Sequence, residues 1–241
     1  MNRILASEEL ECYHANGFVV VENFISPTEV EQINTELDGL IATRHADVVQ
    51  EQDHRRLGTG SIYALGLTTP CLTSICEDER ILDLICPIVH PGISIYSAKL
   101  VNKPPHDPEP CLWHQDEAYY LERSVSSCRM SIWLPLQEVT KDHGCLQVVP
   151  GSHKQGLQPS SLKPSGSCNR SMDIHIDLSR RIFVPMNVGS VLLFSALLWH
   201  GSDRNSTDQN RRALIVSYQE GSASGGNGRQ FKVLRKTRDE P

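Results

Sequence analysis

The sequence predicts a mainly β protein with helices packed on its outside, and three features carry that prediction. Helix-capping signals and apolar stripes at helical spacing occur within about the first 90 residues. From residue 92 onward, short β-branched or alternating runs are separated by Gly, Pro, Asn and Asp, which is typical of an antiparallel sandwich or barrel. The chain has no strand–helix–strand rhythm and no glycine-rich phosphate loop after a strand, so a parallel α/β fold is not expected.

The N-terminal part is expected to be mostly helical over residues 7–43. A first helix begins at Ser7 and ends at Gly17, and a brief apolar strand follows over residues 18–21. A cap at Ser26 opens a second helix, whose apolar stripe consists of Val30, Ile33, Leu37, Leu40 and Ile41.

Residues 44–69 are polar and contain glycines, and we expect them to form a long loop. Such a loop is either a lid or wall of a site or the cover of a sheet edge. Helix is expected again over residues 70–90. The β region is then predicted as nine strands over residues 93–102, 111–116, 129–137, 145–149, 173–177, 181–186, 190–194, 197–200 and 211–219.

At 241 residues, the chain is long enough for one large domain, which we place at residues 1–220. The glycine- and serine-rich start of segment 221–241 predicts a flexible, basic tail. A net charge of −6 argues against a general nucleic-acid binder. No apolar run approaches the roughly 20 residues that cross a bilayer, so no membrane partner is expected, and the oligomeric state is left open.

Eight cysteines are scattered without a close Cys-x-x-Cys pair, which argues against a zinc knuckle and a disulfide framework. The N-terminus becomes acidic before a signal-peptide core develops. The expectation is therefore a cytoplasmic protein with reduced, partly buried thiols.

One short segment has the spacing of metal ligands. In an extended strand, His114 and Asp116 point to the same face, with Gln115 turned away. His200, much later in the chain, is the candidate third ligand. Two histidines and one carboxylate leave open positions on a metal, the arrangement used by non-haem Fe(II) oxygenases.

A basic residue is expected near this metal site. The segment after His200 is dense in turn-forming residues, so the chain should reverse and return with Arg211 and Arg212. Arginine holds a carboxylate through two parallel hydrogen bonds and stays charged in a partly dry site. Because the two arginines alternate faces in a strand, spacing alone leaves open which of them faces the site.

Five segments, in this order, resemble the phytanoyl-CoA dioxygenase family of Fe(II)/2-oxoglutarate-dependent oxygenases. The resemblance extends over roughly residues 10 to 220 and rests on 100–105 (Leu-Val-Asn-Lys-Pro-Pro), 114–116 (His-Gln-Asp), 143–154 (His-Gly-Cys-Leu-Gln-Val-Val-Pro-Gly-Ser-His-Lys), 200–202 (His-Gly-Ser) and Arg211.

The resemblance implies a double-stranded β-helix, a cupin-like jelly-roll of two sheets with helices outside. It implies iron on His114, Asp116 and His200, and Arg211 with Ser202 at the far carboxylate of 2-oxoglutarate. It also implies a cosubstrate pocket lined by Trp133, Lys99 and Gln115. The family's upstream basic contact is missing here, and Tyr63 is the nearest substitute.

The expected reaction uses Fe(II), 2-oxoglutarate and O₂, with ascorbate as a supporting reductant, to hydroxylate an aliphatic C–H bond of a small-molecule substrate. A carboxylate at Asp116 fills the position that a halide needs in related halogenases, which favours hydroxylation. Desaturation, epimerisation and ring closure use the same ligands. A jelly-roll metal-dependent lyase or isomerase without 2-oxoglutarate, and a non-catalytic binding module, are the alternatives from other classes.

Overall fold

The N-terminal helices form where the capping signals predict them. The computed structural model describes residues 3–45, 70–120, 124–126, 128–165, 168–225 and 231–236. Helix α1 spans Ser7–Asn16 and ends at Gly17, whose φ of 86° is a left-handed conformation that glycine adopts without strain. Helix α2 spans Pro27–His45. Its capping box is present, because the Ser26 N–H donates to the Glu29 carboxylate at 2.9 Å and the Glu29 N–H donates to the Ser26 hydroxyl at 3.3 Å.

The remaining elements follow the predicted change from helix to strand. Two short helices are α3 (Pro70–Cys76) and α4 (Glu79–Ile85), and one helical turn, α5, spans Glu117–Tyr120. The loop predicted over residues 44–69 differs at its start, where 44 and 45 belong to α2, and residues 46–69 lie outside the described residues. The strands up to the middle of the chain are β1 Phe18–Val21, β2 Ile93–Lys103, β3 Cys111–His114, β4 Ser124–Val125, β5 Arg129–Pro135 and β6 Leu146–Val148. The later strands are β7 Ser160–Ser165, β8 Cys168–Met172, β9 Ile182–Val184, β10 Val191–Ser195, β11 His200–Ser202, β12 Arg211–Gln219, β13 Ser224–Gly225 and β14 Lys232–Arg235.

Two antiparallel sheets build the jelly-roll that the sequence predicts. The larger has six strands in the order β1-β10-β5-β12-β2-β14, and the smaller has four in the order β3-β11-β6-β9. Alternate residues of the larger sheet lie in two separate cores. On β12, Leu214 and Val216 pack on the helical side with α2 and α4, whereas Ala213 and Ile215 pack towards the smaller sheet. The inner face of the larger sheet therefore carries the residues available to an internal site.

Two predicted strands differ from the structure: of residues 197–200 only His200 lies in a strand, and residues 173–177 do not pair as a strand. Ile174 and Ile176, whose alternation suggested it, pack against the buried cluster around Trp199. The strands of this region are instead β7 and β8, a hairpin of mostly polar residues whose Leu162 is 67% exposed. Hairpin pairing depends on the backbone, and this segment lacks the apolar alternation by which strands are recognised.

The described part of segment 221–241, for which the sequence predicts a flexible tail, contains two short strands. Strand β13 pairs with β4, and β14 pairs with β2 at the edge of the larger sheet. The basic residues of β14 meet acidic partners, since Arg235 lies 2.8 Å from the Asp83 carboxylate and Lys232 pairs with Glu77. This charge complementarity is a long-range property that local composition does not reveal. Among the described residues, no helix combines the length and the apolar character needed to cross a membrane.

A disulfide joins the strand that carries His114 to the β7–β8 hairpin. Cys111 on β3 and Cys168 on β8 are bonded, with their Cα atoms 5.1 Å apart. The expectation of reduced thiols is therefore wrong for this pair, although Cys12, Cys76, Cys145 and the half-buried Cys86 form no disulfide. The two residues are 57 positions apart and have no motif between them, so only the fold brings them together.

We predict that Cys168→Ser lowers the free energy of unfolding by about 2–4 kcal/mol, because the unfolded chain regains the freedom of a long loop. Urea unfolding of the metal-free protein measures this. Cys86→Ser, which also removes a thiol, is the matched control and should change stability little. A thiol reductant should shift the wild-type midpoint to that of Cys168→Ser and leave the variant unmoved. A wild-type midpoint insensitive to the reductant would contradict the prediction.

Candidate metal centre

The three predicted metal ligands come together between the two sheets. Strands β3 and β11 pair so that His200 lies directly opposite His114, and the centroids of their imidazole rings are 4.1 Å apart. Strand β3 ends at His114, so Asp116 does not follow it on the same strand face as predicted. Asp116 lies instead in the turn before α5, and this turn carries its carboxylate back towards both rings.

The donor atoms of the triad are close enough to share one ion. The Asp116 Oδ1 atom lies 3.7 Å from His114 Nε2 and 3.8 Å from His200 Nε2. All potential ligand atoms lie within 4.8 Å of one another, and all three residues are buried. Burying such a polar group without a partner is costly, and a metal ion removes that cost.

Both imidazoles are held in the tautomer that a metal needs. His114 Nδ1 lies 2.7 Å from the carbonyl oxygen of Leu112, and His200 Nδ1 lies 3.0 Å from that of Leu198. A carbonyl only accepts hydrogen bonds, so each Nδ1 carries a hydrogen, and Nε2 is the ring nitrogen left for a metal. Burial lowers the pKa of His200 to about 4, and the neighbouring His114 adds to this effect, so the His200 ring is neutral at pH 7.

The Asp116 side chain is held as a carboxylate. Burial by itself raises the pKa of this carboxyl group, but the neighbouring His114 and the positive charge of Lys99 outweigh burial. The pKa of Asp116 therefore lies well below its usual range. Two neutral imidazoles and one carboxylate are the donor set expected of a non-haem iron site.

The structure separates the two arginines that the sequence leaves as alternatives. Arg212 points to the helical side, where its guanidinium lies 2.5 Å from the Asp38 carboxylate on α2. Arg211 points into the space between the sheets and is 2% exposed, with its guanidinium carbon 5.7 Å from the centroid of the Trp133 ring.

Arg211 is a buried cation without a counter-ion among the described residues. It makes no hydrogen bond or ion pair with any described residue, and its buried Nε is among the atoms left without a partner. Burial lowers its pKa to about 10, which still leaves the guanidinium charged at neutral pH. Lys103 lies opposite Arg211 across the β12–β2 pair and is also buried. Its ammonium group donates a hydrogen bond to the Glu109 carbonyl oxygen at 2.6 Å. The arrangement calls for an anion at Arg211.

Three of the other predicted pocket residues face the same interior. Ser202 is buried on β11, Trp133 is buried on β5, and Lys99 is half-buried on β2 opposite Ile215. Lys99 forms no hydrogen bond or ion pair with the described residues, and its charge acts on Asp116. Tyr63, the predicted substitute for the family's basic contact, lies outside the described residues.

The Gln115 side chain is hydrogen-bonded to the backbone of neighbouring loops. Its side-chain amide donates to the carbonyl oxygens of Gly156 at 2.9 Å and Leu197 at 2.7 Å, and its oxygen accepts the Gln158 N–H at 2.8 Å. These bonds use the carboxamide to connect loop backbones, and a cosubstrate contact of Gln115 stays a prediction. Strand alternation explains these bonds, since Gln115 points away from the neighbouring ligands.

Sequence reasoning missed the hydroxyl groups that lie behind Asp116. Ser131 on β5 donates to Asp116 Oδ2 at 3.2 Å, and Ser217 on β12 and Tyr120 on α5 continue the network. Serine in a strand carries no local signal of such a role. The available sequence signal is strand alternation, which places Ser131 on the same face as Trp133 and so towards the interior.

Comparison with known proteins agrees with this geometry. The chain is 25% identical over 234 residues to the peroxisomal phytanoyl-CoA dioxygenase of Bos taurus, covering 90% of this chain and 69% of that protein. Among solved structures, the non-heme monooxygenase ThoJ in its apo form superposes with a TM-score of 0.80 at 21% identity, covering 94% of this chain and 83% of that one.

The fold is also shared with an enzyme that is described as a carbocyclase and not as a monooxygenase. The non-heme alpha-ketoglutarate-dependent carbocyclase SnoK from nogalamycin biosynthesis has a TM-score of 0.75 at 22% identity, covering 94% of this chain and 88% of that one. The family model for phytanoyl-CoA dioxygenase (PhyH) matches residues 13–213, which is most of the chain. This chain therefore belongs to the phytanoyl-CoA dioxygenase family and is an iron- and 2-oxoglutarate-dependent dioxygenase.

Proposed function

We propose that this enzyme hydroxylates an aliphatic C–H bond of a small-molecule substrate, converting 2-oxoglutarate and O₂ to succinate and CO₂. The proposal rests on two groups inside the jelly-roll: a set of metal ligands and a buried arginine. The buried His114, Asp116 and His200 converge on one point, and the buried Arg211 has no counter-ion among the described residues. A dianion such as 2-oxoglutarate fits both needs at once.

The triad fits iron, and each ligand has a defined task. His114 and His200 present Nε2 atoms as ligands, and Asp116 supplies the single negative charge. Iron held there supplies the chemistry that activates dioxygen and couples decarboxylation of 2-oxoglutarate to oxidation of a C–H bond. Two histidines and one carboxylate leave the remaining positions on the metal open for cosubstrate and dioxygen.

Arg211 is the proposed anchor for the far carboxylate of 2-oxoglutarate. Its guanidinium offers paired N–H donors in a water-poor site, where a charge-assisted hydrogen bond is stronger than in solvent. Ser202 is proposed to add a hydroxyl donor, and Trp133 packs beneath the guanidinium and limits its orientation. A metal-dependent lyase or isomerase has no need of a buried, unpaired arginine, which favours the oxygenase over that alternative.

The identity of Asp116 as a metal ligand limits which reactions the proposed iron site can perform. Because Asp116 provides a carboxylate in the triad, the position that a halide would require is filled, which favours hydroxylation over halogenation. Ring closure is the second candidate, since the structurally similar SnoK is described as a carbocyclase. The proposed substrate is a small molecule, as phytanoyl-CoA is for the dioxygenase of Bos taurus.

The first prediction concerns the metal. His114→Ala and His200→Ala should each weaken Fe(II) or Mn(II) binding by more than about 100-fold, because each removes a direct ligand. Equilibrium dialysis of the anaerobic protein measures the affinity. His106→Ala is the matched control, because the His106 side chain is 65% exposed and pairs with the exposed Asp208. Unchanged affinity in either ligand variant would contradict the site.

The second prediction uses the neighbouring arginines as a matched pair. Arg211→Ala should weaken 2-oxoglutarate binding by about 30-fold or more, equivalent to roughly 2 kcal/mol, while leaving metal affinity intact. Arg212→Ala removes the same charge from the outer face and should leave 2-oxoglutarate binding close to wild type. Anaerobic titration of the Fe(II) form gives both values. Equal effects of the two substitutions would exclude Arg211 as the anchor.

The reaction itself is tested by succinate formation from 2-oxoglutarate with Fe(II) and ascorbate. Wild-type protein should show slow turnover even without its substrate, and His114→Ala and Arg211→Ala should not. If wild-type protein forms no succinate and also does not bind 2-oxoglutarate anaerobically, the oxygenase proposal is wrong. The metal-dependent lyase or isomerase then becomes the favoured function.

A further inference from the structure

A chain of three hydroxyl groups ends on the carboxylate of the proposed metal ligand. Ser131 Oγ lies 3.2 Å from Asp116 Oδ2 and 2.9 Å from Ser217 Oγ, which in turn lies 2.9 Å from Tyr120 Oη. Both serines are fully buried, and the tyrosine is 4% exposed. This row of polar groups is therefore shielded from water, and each member depends on the next for its hydrogen bonds.

The fold assembles the row from three separate elements. Ser131 and Ser217 are direct cross-strand partners on β5 and β12, the two central strands of the larger sheet. Tyr120 belongs to α5, the helical turn that starts immediately after Asp116. One helical turn brings Tyr120 back beneath the ligand that precedes it. The hydroxyl chain thus ties the ligand-bearing turn to the centre of the sheet.

The hydrogen bonds between these hydroxyl groups allow only one order of donors and acceptors, from Tyr120 towards Asp116. The Asp116 carboxylate only accepts, so Ser131 must donate its single hydroxyl hydrogen to Oδ2. Ser131 can then only accept from Ser217, and Ser217 can only accept from Tyr120. Burial raises the pKa of Tyr120 well above its usual value, and the charge of Asp116 adds to this, so the phenol keeps the hydrogen that it donates. Donors aligned in series strengthen one another.

The two oxygens of Asp116 consequently have different surroundings. Oδ2 accepts from Ser131, whereas Oδ1 is the oxygen that faces Nε2 of both His114 and His200. Removal of the Ser131 hydroxyl would leave Oδ2 buried without this donor. The carboxylate would then be free to turn and offer both oxygens to one ion.

We propose that Ser131, Ser217 and Tyr120 are positioning residues that make Asp116 a one-oxygen ligand and so keep an additional metal position open. The inference rests on the proposed function only in that a metal binds the triad. It concerns the geometry and affinity of that metal, not the identity of the substrate.

The test is a cobalt(II) titration of the anaerobic protein, in which absorption bands report both affinity and coordination number. Ser131→Ala is expected to weaken cobalt(II) affinity by about 10- to 100-fold and to change the band shape. Tyr120→Phe, which removes only the most distant donor, should weaken cobalt(II) affinity by about 2- to 5-fold, below the usual range for direct partners of a ligand. In the Ser131→Ala background, Tyr120→Phe should have no further effect, because its influence passes through Ser131.

Ser94→Ala is the matched control, because Ser94 is also fully buried and donates its hydroxyl to the Glu220 carbonyl oxygen, away from the triad. It should leave affinity and spectrum unchanged. If Ser131→Ala does not fold, Ser217→Ala and Tyr120→Phe carry the same test with graded effects. Wild-type affinity and spectrum in the folded variants would overturn the inference. Failure of wild-type protein to bind cobalt(II) would instead overturn the metal site itself, so the two failures are distinguishable.

Discussion

The pairing of β11 with β3 is the interaction on which the candidate site depends. Backbone hydrogen bonds between these short strands place His200 opposite His114, although the two residues are far apart in the chain. Each ring is then oriented by the carbonyl oxygen two residues before it in the sequence. Because strand alternation sets the direction of each side chain, a one-residue shift in this register would turn an imidazole out of the site.

The interior of the jelly-roll has an uneven distribution of charge. At one end, Asp116 is balanced by Lys99 and supported by hydroxyl donors from Ser131 and its neighbours. At the other end, Arg211 is buried against Trp133 with no acidic partner among the described residues. An apolar core surrounds both ends. Such a charge distribution favours a ligand that chelates a metal through one end and carries a carboxylate at the other.

Support around the site comes from contacts that lie outside the sheets themselves. The Cys111–Cys168 disulfide attaches the polar β7–β8 hairpin to the strand that ends in His114. Gln115 holds the backbone of the loops beside it through three hydrogen bonds. Buried Arg129 pairs with Glu117, next to the ligand Asp116, at 2.5 Å. These contacts restrict the turn in which Asp116 lies, and a rigid ligand set lowers the cost of ordering it around a metal.

The sequence by itself determined the features that depend on local patterns. Caps at Ser26 and Gly17 marked the helices, alternation marked β2, β5 and β12, and the ordered motifs identified the triad and the family. The sequence could not distinguish Arg211 from Arg212. Neighbouring residues in a strand point to opposite faces, and only the packed structure shows which face is covered by helices and which by the second sheet.

Tertiary structure alone decided the features that depend on distant contacts. The disulfide, the edge strand β14 and the chain from Tyr120 to Asp116 each join residues whose local sequences contain no common signal. A serine hydroxyl or a thiol acquires its role from the group that burial places opposite it. That partner is set by the register and packing of the two sheets, which no single segment encodes.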